Sequence, residues 1–205
     1  MENFVINIGR QLGSGGREIG EKIAQRFDAR FMDKELIKVA AEQTGFRREL
    51  FEKSDERKGF FGSLFNFRNS SFGQNDPYAP AISEESMFQI LSEVIRSAAA
   101  ESSCVFVGRC ADYILRDNPR CFNVFITADE QDRVERIAKL RDVTPDKALQ
   151  IIEKADESRA SFYNYYSSRR WGEAATYHLC INSSILGIDK TEEYIASYAR
   201  QMLGI

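Results

Sequence analysis

The stretch Gly9-Arg10-Gln11-Leu12-Gly13-Ser14-Gly15-Gly16-Arg17-Glu18-Ile19-Gly20 concentrates residue types that hold anions. Glycines let a backbone curl until several N–H groups converge on one point, and a helix that starts there adds the positive end of its dipole. Arg17, with Arg10 as a second candidate, offers a guanidinium that can grip two phosphate oxygens at once. The chemistry is that of a phosphate-binding loop lined by Gly9, Arg10, Gly13, Ser14, Gly15, Gly16 and Arg17.

Two registers fit the usual pattern G-x-x-x-x-G-K-[ST] imperfectly. With Gly15 as the second glycine, Gly16 stands in the lysine slot and Arg17 in the hydroxyl slot. With Gly16 as the second glycine, Arg17 takes the lysine slot, but Gln11 replaces the first glycine and Glu18 the hydroxyl residue. Neither register supplies the hydroxyl that usually meets Mg²⁺, because Ser14 lies upstream. The dinucleotide pattern G-x-G-x-x-G is broken from Gly13 by Glu18. The plain alternative is a Gly-rich strand-to-helix turn with no ligand.

Further polar candidates also follow apolar runs. Asp33 either caps the next helix or meets acceptor hydroxyls and orients a nucleophile. Arg109 either pairs with Asp112 or faces a ligand. Arg133 and Arg136 share one helix face, and Arg159 lies on the next helix. Ion pairs at helical spacing, Asp132 with Arg136 and Asp156 with Arg159, would make these a solvated face instead. His178 sits inside a strand with no nucleophile context, which argues against a triad.

The elements that carry these residues alternate. Strands are expected at Phe4–Ile8, Ala29–Met32, Cys104–Val107, Phe122–Ile126 and Tyr177–Asn182. Helices are expected at Arg17–Phe27, Lys34–Glu42, from a Ser83 cap to Glu101, at Asp129–Leu140, and from Thr144-Pro145 to Phe162. Asp189 with Glu192 resembles a capping box opening a last helix to Leu203. From Gly45 to Pro80, Phe60, Phe61, Phe65, Phe67 and Phe72 lie among Gly, Ser and Asn without a clean period, as in a long functional connection. Continuous apolar strands alternating with helices predict a parallel sheet covered on both faces, with ligands at the carboxyl ends of the strands.

A length of 205 residues suits one domain, and 43% hydrophobic residues suffice for a real core. A net charge of −3 lacks the basic footprint of a duplex-binding protein, so no nucleic acid partner is expected. No apolar run approaches membrane-spanning length and the N-terminus lacks a signal layout, which predicts a cytoplasmic chain without a membrane partner. Cys104, Cys110, Cys121 and Cys180 form no Cys-x-x-Cys pair, so they read as reduced thiols, not zinc ligands. A homo-oligomer is left open, and no metal ligand is assigned.

The opening segment Ile8–Gly20, the run Phe31-Met32-Asp33-Lys34-Glu35-Leu36-Ile37, the motif Val107-Gly108-Arg109-Cys110-Ala111-Asp112 and the close Tyr177–Ser184 with Leu186-Gly187-Ile188 together resemble the cytidylate kinase-like family. The resemblance implies a three-layer α/β P-loop NTPase fold over 1–205, with a parallel sheet of about five strands. It implies an acceptor-binding insertion at 45–80 and a helical lid at 140–171. It also implies ATP and Mg²⁺ as cofactors and γ-phosphoryl transfer to a nucleoside monophosphate, with CMP or dCMP leading. Arg109, Asp112 and Asp33 would bind the acceptor, while Arg17, Arg133 and Arg159 would act on the transferring group. A small-molecule kinase with another acceptor, or an inactive nucleotide-binding regulator, are the alternatives. The chain departs from true cytidylate kinases in lacking the loop lysine and in placing Cys110 where their Gly-Arg-Asp motif has Asp.

Overall fold

The computed structural model describes residues 2–33 and 84–205. The expected helix at 34–42, the Phe-rich connection at 45–80 and the Ser83 cap lie outside the described residues. Within them a parallel sheet contains β1 (Val5–Arg10), β2 (Arg30–Met32), β3 (Cys104–Val107), β4 (Cys121–Thr127) and β5 (Leu179–Asn182), in the order β2-β3-β1-β4-β5. The central strand β1 lies in register with both neighbours, Ile6 opposite Val105 on one side and Phe122 on the other.

Helices cover both faces because alternate strand residues are apolar on both. Ile6, Ile8, Val105, Val107, Val124 and Ile126 pack under α1 (Gly16–Arg26) and the last helix. Val5, Met32, Cys104, Phe106 and Cys121 pack under α2 (Glu84–Glu101), the short α3 (Ala111–Ile114) and the far part of α5 (Pro145–Ser167). A smaller cluster joins α4 (Glu130–Arg141) and α5 through Ile137, Ala148 and Ile152, with Leu12 of the loop packed against it. The α/β three-layer architecture is therefore present. No helix among the described residues is long and apolar enough to cross a membrane.

Local signals were mostly kept. The Thr144 hydroxyl accepts from the Lys147 N–H at 3.4 Å with Pro145 at the first helical position, and α5 runs on to Ser167 instead of ending at Phe162. The last helix, α6 (Ser183–Leu203), is two helices joined at Gly187, so a helix does start beside Asp189 as expected, after an added first turn. Asn182 is its N-cap, accepting from the Ser184 N–H at 2.9 Å, and Gly187 breaks the helix with φ 73° and ψ 174°. In place of a capping box, Asp189 and Glu192 reach across to α1, where Lys22 and Arg26 hold them at 2.5 Å and 2.6–2.7 Å. The fifth strand starts at Leu179 and not at Tyr177, because residues 177 and 178 form a bend after the 3₁₀ turn Ala174–Thr176.

Candidate functional site

The carboxyl ends of β1, β2 and β3 face one region. After β1 the chain turns through Gly13 (φ 83°) and Gly15 (φ 76°) into α1, whose first residue is Gly16. These left-handed angles suit glycine, and close packing forbids a side chain there as well. A Cβ on Gly13 would lie 2.8 Å from the Arg133 carbonyl oxygen, and one on Gly15 would lie 2.1 Å from Ile188 Cδ1. The Ser14 hydroxyl is fully buried and donates to the Gln11 carbonyl at 2.9 Å. Ser183 at the start of α6 donates to the Ser14 carbonyl at 2.7 Å.

The loop's carbonyl oxygens are taken up by arginines from α4 and α5. Arg133 donates to the Leu12 carbonyl at 2.8 Å, Arg136 to that of Gly13, and Arg159 to that of Arg10 at 3.3 Å. Asp156 ties the arrangement together. It accepts the Leu12 N–H at 2.8 Å, pairs with Arg133, and meets Arg159 at 3.3 Å. With the carbonyls turned toward α4 and α5, the N–H groups of Gly13, Gly15, Arg17 and Glu18 find no backbone acceptor among the described residues. Orphan donors at a helix start are where an anion binds.

The electrostatics agree. Burial and Arg10 pull the Arg159 pKa down to about 9, against Asp156 and Asp33. Burial pulls Arg10 down to about 10, with Arg109 adding to it and Asp33 and Asp156 opposing it. Burial and Arg159 lower Arg141 likewise. Arg159 thus lies between two other partly buried arginines, Arg10 and Arg141, and repels each. The Arg159 Nε is buried with no hydrogen-bond partner among the described residues. Such a group costs free energy unless an anion joins it.

The remaining sequence-derived candidates divide. Arg17 is brought to Asp33, Nε to Oδ2 at 2.8 Å, and to Glu21 at 3.2 Å, with more than half of its side chain exposed. It stands on the β2 side of the loop and not among the arginines that grip the carbonyls. Asp33 is buried at the end of β2. Arg109 lies in a strained turn, Gly108, Arg109 and Cys110 having φ of 77°, 66° and 54°, and its charge is felt by Arg10. Asp112 is buried and accepts the Tyr163 hydroxyl of α5 at 2.6 Å, so its carboxylate faces α5. Gly9 packs against Phe125 and Tyr177, where a Cβ would lie 2.6 Å from the Phe125 ring. His178 lies in a bend just before β5 and not inside a strand as expected, and its Nδ1 accepts the Asn123 N–H of β4 at 2.9 Å.

Asp156 and Ser183 were not singled out by sequence as site residues, and Arg136 was set beside Arg133 without a role of its own. The Asp156–Arg159 spacing was visible, but their side chains are only 15% and 14% exposed, so the pair is no solvated face. Arg136 does not turn to Asp132 but to the loop.

A model of the cytidylate kinase-like family matches residues 5–185. An uncharacterized protein from Eubacterium ventriosum superposes with a TM-score of 0.72 at 26% identity, over 96% of this chain and 98% of that one. Shikimate kinase from Bacteroides thetaiotaomicron gives 0.55 at 16% identity, over 98% and 99%. Shikimate kinase from Acinetobacter baumannii in complex with shikimate gives 0.54 at 12%, over 97% and 94%. At those identities the two shikimate kinases speak for the fold alone. No curated protein matches the chain.

Proposed function

The chain belongs to the cytidylate kinase-like family, and from that premise we propose that it moves the γ-phosphoryl group of ATP to a nucleoside monophosphate, CMP or dCMP first among them. One observation carries the proposal. Arginines from α4 and α5 hold the loop by its carbonyls, and its amides are left for an anion.

In this mechanism Gly13 to Gly16 cradle the donor phosphates at the start of α1. Arg159 and Arg133, already against the loop backbone, meet the charge that spreads over the equatorial oxygens of a loose transition state. Arg109 clamps the acceptor phosphate. Asp33, with Arg17 beside it, faces the acceptor's hydroxyls. The attacking atom is a phosphate oxygen, largely deprotonated near neutral pH because its second pKa is about 6. No general base is then required, in keeping with His178 being engaged by the backbone of β4. Residues 140–171 serve as the lid and 45–80 as the acceptor-binding insertion in this proposal.

The described residues offer Mg²⁺ little. Arg17 follows Gly16 where the usual loop has a hydroxyl, and its guanidinium already holds Asp33. No group of His, Cys, Asp or Glu large enough to hold a metal occurs among the described residues. We therefore derive no step through the ion, which in this account would arrive on the phosphates of ATP.

The test is ADP release with CMP, dCMP, UMP, AMP and GMP offered in turn. Faster release with CMP or dCMP than with ATP alone is expected. Failure of every monophosphate to stimulate release would refute the proposal. A second reading, a nucleotide-binding regulator without turnover, is favoured by Gly16 standing in the lysine slot. Calorimetric ATP binding without ADP release from any acceptor, small hydroxyl compounds included, would select it.

A further inference from the structure

Resting on the phosphate-loop reading above, we infer that Arg10 supplies the positive charge that lysine gives in the usual loop, delivered from the end of β1 instead of the start of α1. The helix boundary fixes the register. Gly15 is the left-handed N-cap and Gly16 the first helical residue. The second pattern glycine is then Gly15, the first glycine position falls on Arg10, and the lysine position on Gly16. Where the pattern has glycine and then lysine, this chain has arginine and then glycine: the two are exchanged.

The packing explains the exchange. A Cβ on Gly16 would lie 2.6 Å from Arg10 Cβ and 3.0 Å from its Cγ. Real Cβ atoms do not approach so closely, so a side chain at 16 and this arginine at 10 exclude each other. Further along, a Cβ on Gly108 would lie 2.1 Å from Arg10 Nη1 and 3.0 Å from Cζ. Gly16 and Gly108 are thus two walls of a slot that fits this one side chain. The slot carries the guanidinium from the loop to the end of β3, next to Arg109.

The guanidinium makes no hydrogen bond or ion pair among the described residues, although Asp33, Asp156 and Arg109 all act on it through their charges. Its backbone carbonyl is held by Arg159. A partly buried cation between a ring of amides and a second arginine suits a phosphate group shared by both. The same position separates the donor side of the site from Arg109 on the acceptor side.

The experiment is calorimetry with two probes, ATP in Mg²⁺ buffer and base-free inorganic tripolyphosphate. Losing a hydrogen bond to a charged group predicts that Arg10→Ala weakens both probes about 10- to 100-fold. Gly16→Ala should also weaken both, because it displaces the Arg10 stem. The double variant R10G/G16K restores the usual order and should bind within about fivefold of the wild type, well above R10G alone. The R10G against R10G/G16K comparison stands even if Arg10→Ala does not fold. Unchanged affinity in Arg10→Ala, or R10G/G16K no tighter than R10G, overturns this inference while leaving the loop reading in place. Wild-type protein that binds neither probe overturns the loop reading and this inference together.

Discussion

Replacing Gly13 by alanine separates the two reasons for glycine in the phosphate loop. At φ 83° any Cβ meets its own backbone, a penalty of roughly 1–2 kcal/mol. The new methyl would also stand 2.8 Å from the Arg133 carbonyl oxygen and 3.0 Å from Arg133 Cα. These are backbone atoms of α4 and cannot swing aside. The helix must retreat, and that pulls on the Arg133 bond to the Leu12 carbonyl and the Arg136 bond to Gly13. Charged hydrogen bonds contribute about 1.5–3 kcal/mol each. Weakening one of them on top of the backbone strain gives a total near 3 kcal/mol. At about 2–4 °C per kcal/mol for a domain of this size, the melting temperature should fall by roughly 6–12 °C. Gly204→Ala is the control. Its φ is 66°, but nothing lies within 4 Å of the added methyl, so only the conformational part, about 1–2 kcal/mol, remains. Paired thermal melts decide the matter. Melting of Gly13→Ala within about 2 °C of Gly204→Ala would show that the loop is not pinned against α4 as described.

Arg159→Ala should lower kcat for ADP formation at least about 30-fold, roughly 2 kcal/mol, with a smaller change in the KM for the acceptor. Steady-state kinetics with kcat preserved would remove Arg159 from the transferring group. Ser183→Ala removes the one hydroxyl proton shared between the Ser14 carbonyl at 2.7 Å and the Thr127 carbonyl at 3.1 Å. That should cost about 1–2 kcal/mol in denaturant melts and raise the Kd for ATP; an unchanged midpoint and Kd would contradict it. Burial lifts the Asp112 carboxyl above the usual carboxylate value, against the Tyr163 hydroxyl bond. Only between the unfolded carboxyl's usual value and the raised one does the folded chain hold a proton that the unfolded chain has released. From the raised value down to about pH 4, acidification then favours the folded wild type through this group. Asp112→Asn lacks that dependence, so its melting advantage over the wild type should be largest near pH 7 and shrink as pH falls. An advantage that grows on acidification would contradict the direction.

The three central strands were legible because they are buried on both faces, so each is a short continuous apolar run, with Gly9 closing that of β1 and Gly108 that of β3. Helix starts with a local chemical signal, such as Thr144-Pro145, were legible too. What failed was any feature whose partner lies far along the chain. Asp189 and Glu192 have the spacing of a capping box, yet Lys22 and Arg26 claim them across α1. Arg17 looks like the loop's cation by sequence, but the helix start at Gly16 turns it toward Asp33. Asp156 looks like half of an exposed pair, and only the approach of α5 to Leu12 makes it a clamp on the loop. Spacing reports neighbours on one helix and is blind to the opposite wall of a site.

The tie between Ser183 and Ser14, with Ile188 filling the space over Gly15, bears on how the chain matures. β1 leaves the ribosome well before its sheet neighbours, which begin at Cys104 and Cys121. Even when those strands have paired, the bend before α1 still lacks its cover until α6 emerges. A nascent chain halted before α6 should thus be captured poorly by immobilised nucleotide. Release of the final helix would then be the moment at which the phosphate loop takes shape.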